Sequence, residues 1–149
     1  MTRATFDTSK TDPKNVKKEI QTRLLTDTEL ELMSILWSIG QGSVHDVIAK
    51  LSQDRPLAYT SVSTMLRILE QKNFVGSQKE GRGHLYFPRI KKEDYEKISI
   101  HNLVQKVFGG TPSAMVRRLL ENDGLSSQEL KSIKELIGQS SSGSDGGSR

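Results

Sequence analysis

The sequence contains no cysteine, and this absence removes several functional classes together. A disulfide framework, a zinc site built on thiolates and catalysis by a cysteine nucleophile are all excluded. The three histidines, His45, His84 and His101, show no ligand spacing, so we expect neither a metal site nor a cofactor. Because no catalytic triad motif or glycine-rich phosphate loop is recognisable, we do not expect an enzyme.

Long apolar runs are absent as well. No segment approaches the ~20 consecutive apolar residues of a membrane helix, and the first residues carry no apolar signal core. We therefore expect a cytoplasmic protein without stable membrane association. Apolar residues make up 34% of the 149 residues and aromatic residues only 5%, which favours a thin core, a dimer interface or disordered ends.

Positive charge is concentrated in one part of the chain, although the net charge is only +4. Residues 55–92 carry eight basic and two acidic side chains, whereas residues 24–54 carry one basic and five acidic ones. Residues 1–23 add a smaller excess, with six basic and three acidic side chains. A local basic patch on a nearly neutral protein is typical of a protein that binds double-stranded DNA.

Composition and periodicity divide the chain into four parts. Residues 1–23 are polar without apolar periodicity and are predicted to form a flexible N-terminal arm. The Ser/Gly-rich residues 139–149 are predicted to form a disordered tail. Between them we expect a winged-helix DNA-binding domain at residues 24–90 and a helical dimerisation domain at residues 91–138.

Helical patterns come first within the predicted DNA-binding domain. Thr26 and Glu29 form a capping box for a first helix, and Ser43 can cap a second. A third helix opens at Thr60 or Ser61 and ends near residues 72–73. The residues predicted to lie on the buried face of the first helix are Leu30, Met33, Leu36 and Trp37.

A hairpin follows the three helices. Gly81 and Gly83 permit a tight turn, after which Leu85 and Phe87 alternate with polar neighbours as in a two-faced strand. Three further helices follow the hairpin. The predicted fold is therefore mainly α with a small β-wing, a winged helix-turn-helix plus a three-helix C-terminal dimerisation element.

Side chains suited to DNA lie on the third helix and on the wing. The predicted DNA-binding residues are Tyr59, Thr60, Ser61, Ser63, Thr64 and Arg67 on the helix, and Lys79, Arg82 and His84 on the wing. Arg67 is the best candidate for a bidentate contact to guanine, because its planar guanidinium matches that base edge. Wing cations would contact phosphates and supply affinity more than sequence choice. A solvated helix face and ordinary turn residues are the alternative interpretation.

The C-terminal helices carry more apolar residues than three helices alone can cover. We interpret them as a core shared by a homodimer, with an intramolecular core as the alternative. The residues predicted to form the dimer core are Val104, Val107, Met115, Leu119, Leu130, Ile133 and Leu136.

Four stretches resemble the family of penicillinase and methicillin-resistance repressors. Residues 25–37 resemble its opening helix, residues 58–70 its recognition helix, residues 79–88 its wing and residues 106–110 the junction between its first two dimerisation helices. The resemblance implies a homodimeric repressor bound to a palindromic double-stranded DNA operator.

The resemblance also implies release by a regulatory protease that cuts the first dimerisation helix. The matching bond here joins Asn102 and Leu103, where the family's prototypes have phenylalanine after the asparagine. Two other functions remain open at this point. One is a winged-helix protein-interaction module without DNA, and the other is a regulator that senses a small molecule between the dimer helices.

Overall fold

A computed structural model describes residues 24–121 and 124–143. Its elements are α1 Asp27–Ile39, α2 Val44–Lys50, α3 Tyr59–Gln71, β1 Val75–Glu80, β2 Gly83–Pro88, α4 Lys92–Val107, α5 Pro112–Glu121 and α6 Ser127–Gly143. The residues form two compact units, the first ending at Asn102 and the second beginning at Leu103. The predicted arm at residues 1–23 and residues 144–149 of the predicted tail lie outside the described residues.

The caps of the first two helices confirm the sequence prediction. Thr26 and Glu29 form the capping box of α1, each accepting a backbone N–H of the other. Ser43 and Asp46 do the same for α2, with Ser43 N donating to the Asp46 carboxylate at 2.9 Å. These contacts satisfy backbone donors that a helix start leaves free, so both helices begin where the sequence places them.

The end of α3 leads directly into the wing. Asn73 adopts a positive φ of 66°, its N–H donates to Glu70 O at 3.0 Å, and the N–H of Phe74 donates to Leu69 O at 2.9 Å. This pair of bonds is a Schellman motif, in which asparagine occupies the left-handed position usually held by glycine. The motif reverses the chain so that Phe74 becomes buried and β1 begins at Val75.

The core of the first unit is formed by α1, α2, α3 and the hairpin. Its fully buried side chains are Phe74, Leu32, Met33, Leu36, Leu66, Leu69, Val47, Val62 and Val75. On α1 the prediction was wrong in detail, because Leu32 is fully buried while Leu30 and Trp37 are only partly buried. The buried stripe includes Glu29 and Leu32, so it is rotated relative to the predicted stripe.

The hairpin pairs β1 with β2 in an antiparallel register from Val75 opposite Pro88 to Glu80 opposite Gly83. A residue of the α1–α2 connection extends this sheet, since Gly42 exchanges backbone hydrogen bonds of 2.9 and 2.8 Å with Tyr86. Tyr86 is 4% exposed, whereas the neighbouring Leu85 and Phe87 are half-buried. The most buried side chain of β2 is therefore an aromatic residue that the sequence pattern placed on the polar side.

The start of α4 packs on the first unit through Tyr95. The Tyr95 ring lies 5.8 Å from Trp37 and 6.1 Å from Phe74, and its hydroxyl accepts the Leu25 N–H at 3.1 Å. Trp37 donates its indole N–H to Ile90 O at 2.8 Å, which satisfies the buried end of that ring. These contacts anchor the segment that follows the hairpin.

The second unit contains the end of α4 together with α5 and α6. Gly109 and Gly110 take positive φ values after α4, as the sequence predicts for its termination. None of the residues of α5 is buried. The final helix runs to Gly143, so residues 139–143 of the predicted tail are helical. Among the described residues, no helix combines the length and apolarity that crossing a bilayer requires.

A partly buried ion pair joins the start of α1 to the end of α3. Lys72 Nζ lies 2.8 Å from Glu29 Oε2, and the side chains are 28% and 5% exposed. Burial raises the pKa of the Glu29 carboxyl, but hydrogen bonds from Lys72 and Thr26 and the charge of Lys72 outweigh it. The pKa therefore lies below its ordinary value of 4.5. A carboxyl with a lowered pKa stabilises the fold above its unfolded-state pKa, and this stabilisation is lost as the pH falls through the folded-state pKa.

Replacement of Lys72 by methionine is expected to lower the free energy of unfolding by about 2 kcal/mol at about pH 7, because Glu29 would remain buried and charged without its cation. The loss should shrink at an acidic pH below the lowered pKa of Glu29, where Glu29 becomes protonated in both proteins. Urea unfolding at both pH values measures this difference. The same change at the exposed Lys91 is the control, and an equal loss at both pH values would contradict the assignment.

Candidate nucleic-acid interface

Helix α3 separates a buried apolar face from an exposed polar face. Val62, Leu66 and Leu69 are fully buried. The predicted contact residues Tyr59, Thr60, Ser61, Thr64 and Arg67 are all exposed, and Ser63 is half-buried. The helix therefore presents hydroxyl groups and one guanidinium to solvent, a combination that suits base edges and phosphate oxygens.

The wing carries its cations at an exposed tip. Gly81 takes a φ of 60° at the first position of the two-residue turn, where a turn of type II′ requires glycine. Arg82 occupies the second position and is exposed. Lys79 and His84 pair directly across the strands behind it, and both are exposed. The three cationic or ionisable wing residues named from the sequence are thus neighbours.

Tyr86 connects the wing to α3. Burial raises the pKa of its phenol above the ordinary value of 10.0, and the Glu70 carboxylate raises it further. The Arg67 guanidinium opposes both through its charge and a hydrogen bond to the phenol, and Tyr59 lies near enough to contribute. Arg67 therefore projects from α3 near the buried Tyr86 ring of the wing.

The strand period places the wing cations on the same side as this contact. Residues two apart in a strand share a face, so His84 and its cross-strand partner Lys79 share the face of Tyr86. The rings of His84 and Tyr86 lie 6.4 Å apart. Lys79 and His84 therefore lie on the face of the wing that carries Tyr86, the residue beside Arg67 of α3.

One residue of this surface was missed by the sequence analysis. His45, in the first turn of α2, is exposed, and its ring centroid lies 4.8 Å from that of Tyr59 at an angle of 41°. It was considered only as a metal ligand, because the sequence does not show which side chain of α3 faces α2. The only available signal was its place two residues after the cap Ser43.

Comparison with known proteins places the chain in a family. The family model described as penicillinase repressor matches residues 25–139, which is most of the chain. The chain belongs to the penicillinase repressor family. It is therefore a winged-helix, DNA-binding transcriptional repressor and not an enzyme.

Members of the penicillinase repressor family match over most of their own length. The penicillinase repressor of Bacillus licheniformis is 32% identical over 113 residues, which cover 76% of this chain and 88% of the relative. The transcriptional regulator BlaI of Mycobacterium tuberculosis is 29% identical over 121 residues, covering 80% of this chain and 86% of the relative. The solution structure of the DNA binding domain of the repressor BlaI is 34% identical and covers 48% of this chain and 87% of that chain, with a TM-score of 0.43.

The second unit of this penicillinase repressor family member exposes many apolar side chains. Val107, Leu119 and Leu136, all named from the sequence, are 66%, 48% and 64% exposed. Met115, Leu130 and Ile133 are half-buried, and Val104 is already buried within the single chain at 5% exposure. Further exposed apolar residues of this unit are Leu103, Val116, Leu120 and Ile137.

The bond between Asn102 and Leu103 lies inside α4, away from either end of the helix. Asn102 is half-buried, and Leu103 is 40% exposed. A peptide bond held in a helix reaches a protease only after local unwinding, so cleavage at this bond would require α4 to open locally.

Proposed function

We propose that this repressor is a homodimer that binds a palindromic operator, with α3 in the major groove and the wing on the adjacent backbone. The observation that carries the proposal is the two-faced character of α3. Its apolar side is fully buried, while its row of hydroxyls and Arg67 is exposed, and Lys79 and His84 of the wing are exposed as well. A helix enters the major groove with such a face outward.

The roles of the contact residues follow from their chemistry. Arg67 reads a guanine through paired donors, held in position beside Tyr86. Thr60, Ser61 and Thr64 contact phosphates and base edges, since hydroxyls serve both. Arg82 at the wing tip contacts phosphate or the minor groove and contributes affinity on any sequence.

Dimerisation through the second unit explains its exposed apolar residues. Val107, Leu119 and Leu136 each leave about half or more of their surface in water within the single chain. Burying such side chains against a second copy removes that apolar area from solvent. A two-fold dimer also presents two α3 helices to two half-sites, about one DNA turn apart.

Release of the operator would follow cleavage of α4 between Asn102 and Leu103 by a regulatory protease. The cut would separate the DNA-binding residues from α5 and α6, and with them from the proposed dimer contacts. Each DNA-binding unit would then bind alone, without the gain from a linked second site. We place this sequence of events in the cytoplasm, where the operator is accessible.

Selection from a random-sequence DNA library tests the proposed function. The protein is expected to enrich duplexes with inverted half-sites whose centres lie about one helical turn apart. The logarithm of the binding constant should fall linearly with the logarithm of salt concentration, because phosphate contacts release counterions. Scrambled duplexes of equal length are the control. No enrichment together with a salt-insensitive protein partner would instead indicate the protein-interaction module.

A further inference from the structure

Two of the three histidines lie beside tyrosines on the surface formed by α3 and the wing. His45 is next to Tyr59, with 4.8 Å between the ring centroids, and His84 is next to Tyr86 at 6.4 Å. His45 reaches this surface from α2, an element to which neither the sequence pattern nor the proposed function assigns a DNA contact. Both rings of the closer pair are exposed, Tyr59 at 48%.

We propose that His45 is a further DNA-contacting residue whose protonated ring meets a backbone phosphate beside Tyr59. The inference rests on the proposed function, since it assigns a new residue to the same DNA-binding surface. It makes operator binding depend on pH, because each bound phosphate then favours the charged form of this histidine.

The position of His45 supports a backbone contact rather than a base contact. In a helix-turn-helix the second helix lies in the groove, while the first crosses the sugar-phosphate backbone. Here α3 carries the hydroxyl row and Arg67, and α2 is the preceding helix with His45 in its first turn. The contact with Tyr59, the first residue of α3, places His45 at the edge of the groove-reading face.

Asp46 and Tyr59 are the titratable groups beside His45. Asp46 follows it on α2, and the Ser43 backbone hydrogen bond is the main cause that lowers the pKa of this carboxyl, so Asp46 stays charged while capping the helix. The phenol of Tyr59 faces His45 from α3. Neutral imidazole has one N–H donor and the protonated ring has two with a full charge, and histidine changes between these forms at about pH 5 to 8.

The test is operator affinity measured by fluorescence anisotropy at about pH 6 and about pH 8 and constant ionic strength, conditions that span the titration of histidine. The probes are a duplex recovered by the random-library selection and a scrambled duplex of equal length. We expect the unmodified protein to bind both more tightly at the lower pH, by about three- to fivefold for each bound subunit, as for one solvent-exposed charged contact. H45Q should lose most of this pH dependence.

Two further variants distinguish the effect of the charge at position 45 from an effect on the structure of the protein. H45R keeps a permanent cation and should bind at the higher pH about as tightly as the unmodified protein does at the lower one. H101Q, at an exposed histidine of α4, is the matched control and should retain the full pH dependence. Any residual dependence in H45Q should disappear in the double variant H45Q/H84Q, because His84 lies on the same surface.

The outcomes distinguish this inference from the proposed function. If the unmodified protein binds DNA and H45Q shows the same pH dependence, His45 makes no charged contact and the inference is wrong. An equal loss of affinity by H45Q at both pH values also overturns it, since the proton would then play no part. If the unmodified protein binds neither duplex in a salt-dependent way, the proposed function itself fails.

Discussion

Arg67→Ala is expected to weaken binding to the selected operator by about 5- to 150-fold per half-site, corresponding to the loss of one bidentate base contact. A dimer carries Arg67 twice, so the effect on the whole operator is larger. The variant should also lose its preference at one base-pair position of each half-site. Binding isotherms against operators with single base-pair changes measure both effects.

Two variants define the specificity of this result. Arg67→Lys keeps the positive charge but lacks the planar fork, so it should retain binding to scrambled DNA while losing the base preference. Arg82→Ala should weaken binding to all duplexes alike and make the dependence on salt less steep. An unchanged isotherm for Arg67→Ala, in a protein with unchanged thermal stability, would remove Arg67 from the interface.

Introducing charge into the exposed apolar face of the second unit is expected to abolish the dimer. In Leu119→Glu/Leu136→Glu, two side chains that are 48% and 64% exposed in the single chain become charged. Burial of these charges in an interface would be costly without partners. Operator affinity should then fall by about 10²- to 10⁴-fold, because the second half-site no longer binds as a linked unit.

Sedimentation gives the oligomeric state independently of DNA. The unmodified protein should sediment at twice the 16.7 kDa chain mass, and the double variant at the mass of one chain. Ser113→Glu/Gln128→Glu adds the same charge at exposed polar positions of α5 and α6 and should remain dimeric. A double variant that stays dimeric would place the interface elsewhere on the chain.

The parts of the fold that depend on nearby residues were predictable. Capping boxes connect residues three apart, so Thr26 with Glu29 and the start of α2 at Ser43 are visible in the sequence. The wing turn needs a positive φ at one residue, and Gly81 supplies it. Interactions of this range require no knowledge of the tertiary structure.

The errors concern the direction in which side chains point after distant elements pack. Leu32 is fully buried and Leu30 only partly, on a helix that also buries Glu29 against Lys72, 43 positions away. Tyr86 is buried on a strand that pairs with Gly42 of the distant α1–α2 connection. Each of these contacts joins residues of two different elements, so the apolar periodicity of one element could not reveal it.

The residues of the candidate site divide in the same way, into those that one element predicts and those that depend on a contact between two elements. The hydroxyl row and Arg67 were found from the sequence, since an apolar stripe on α3 leaves them on the opposite face. The contacts of Arg67 with Tyr86 and of His45 with Tyr59 were not, because each joins two elements. These contacts bring a side chain of the wing and a side chain of α2 next to α3.

Amide chemical shifts of ¹⁵N-labelled protein, recorded while a selected operator duplex is added, test the central claim most directly. The account predicts that the largest shift changes fall on residues 59–67 and 79–84, with smaller changes near His45. Shift changes confined to α5 and α6, or a complex that leaves the amides of α3 and the wing unmoved, would contradict it.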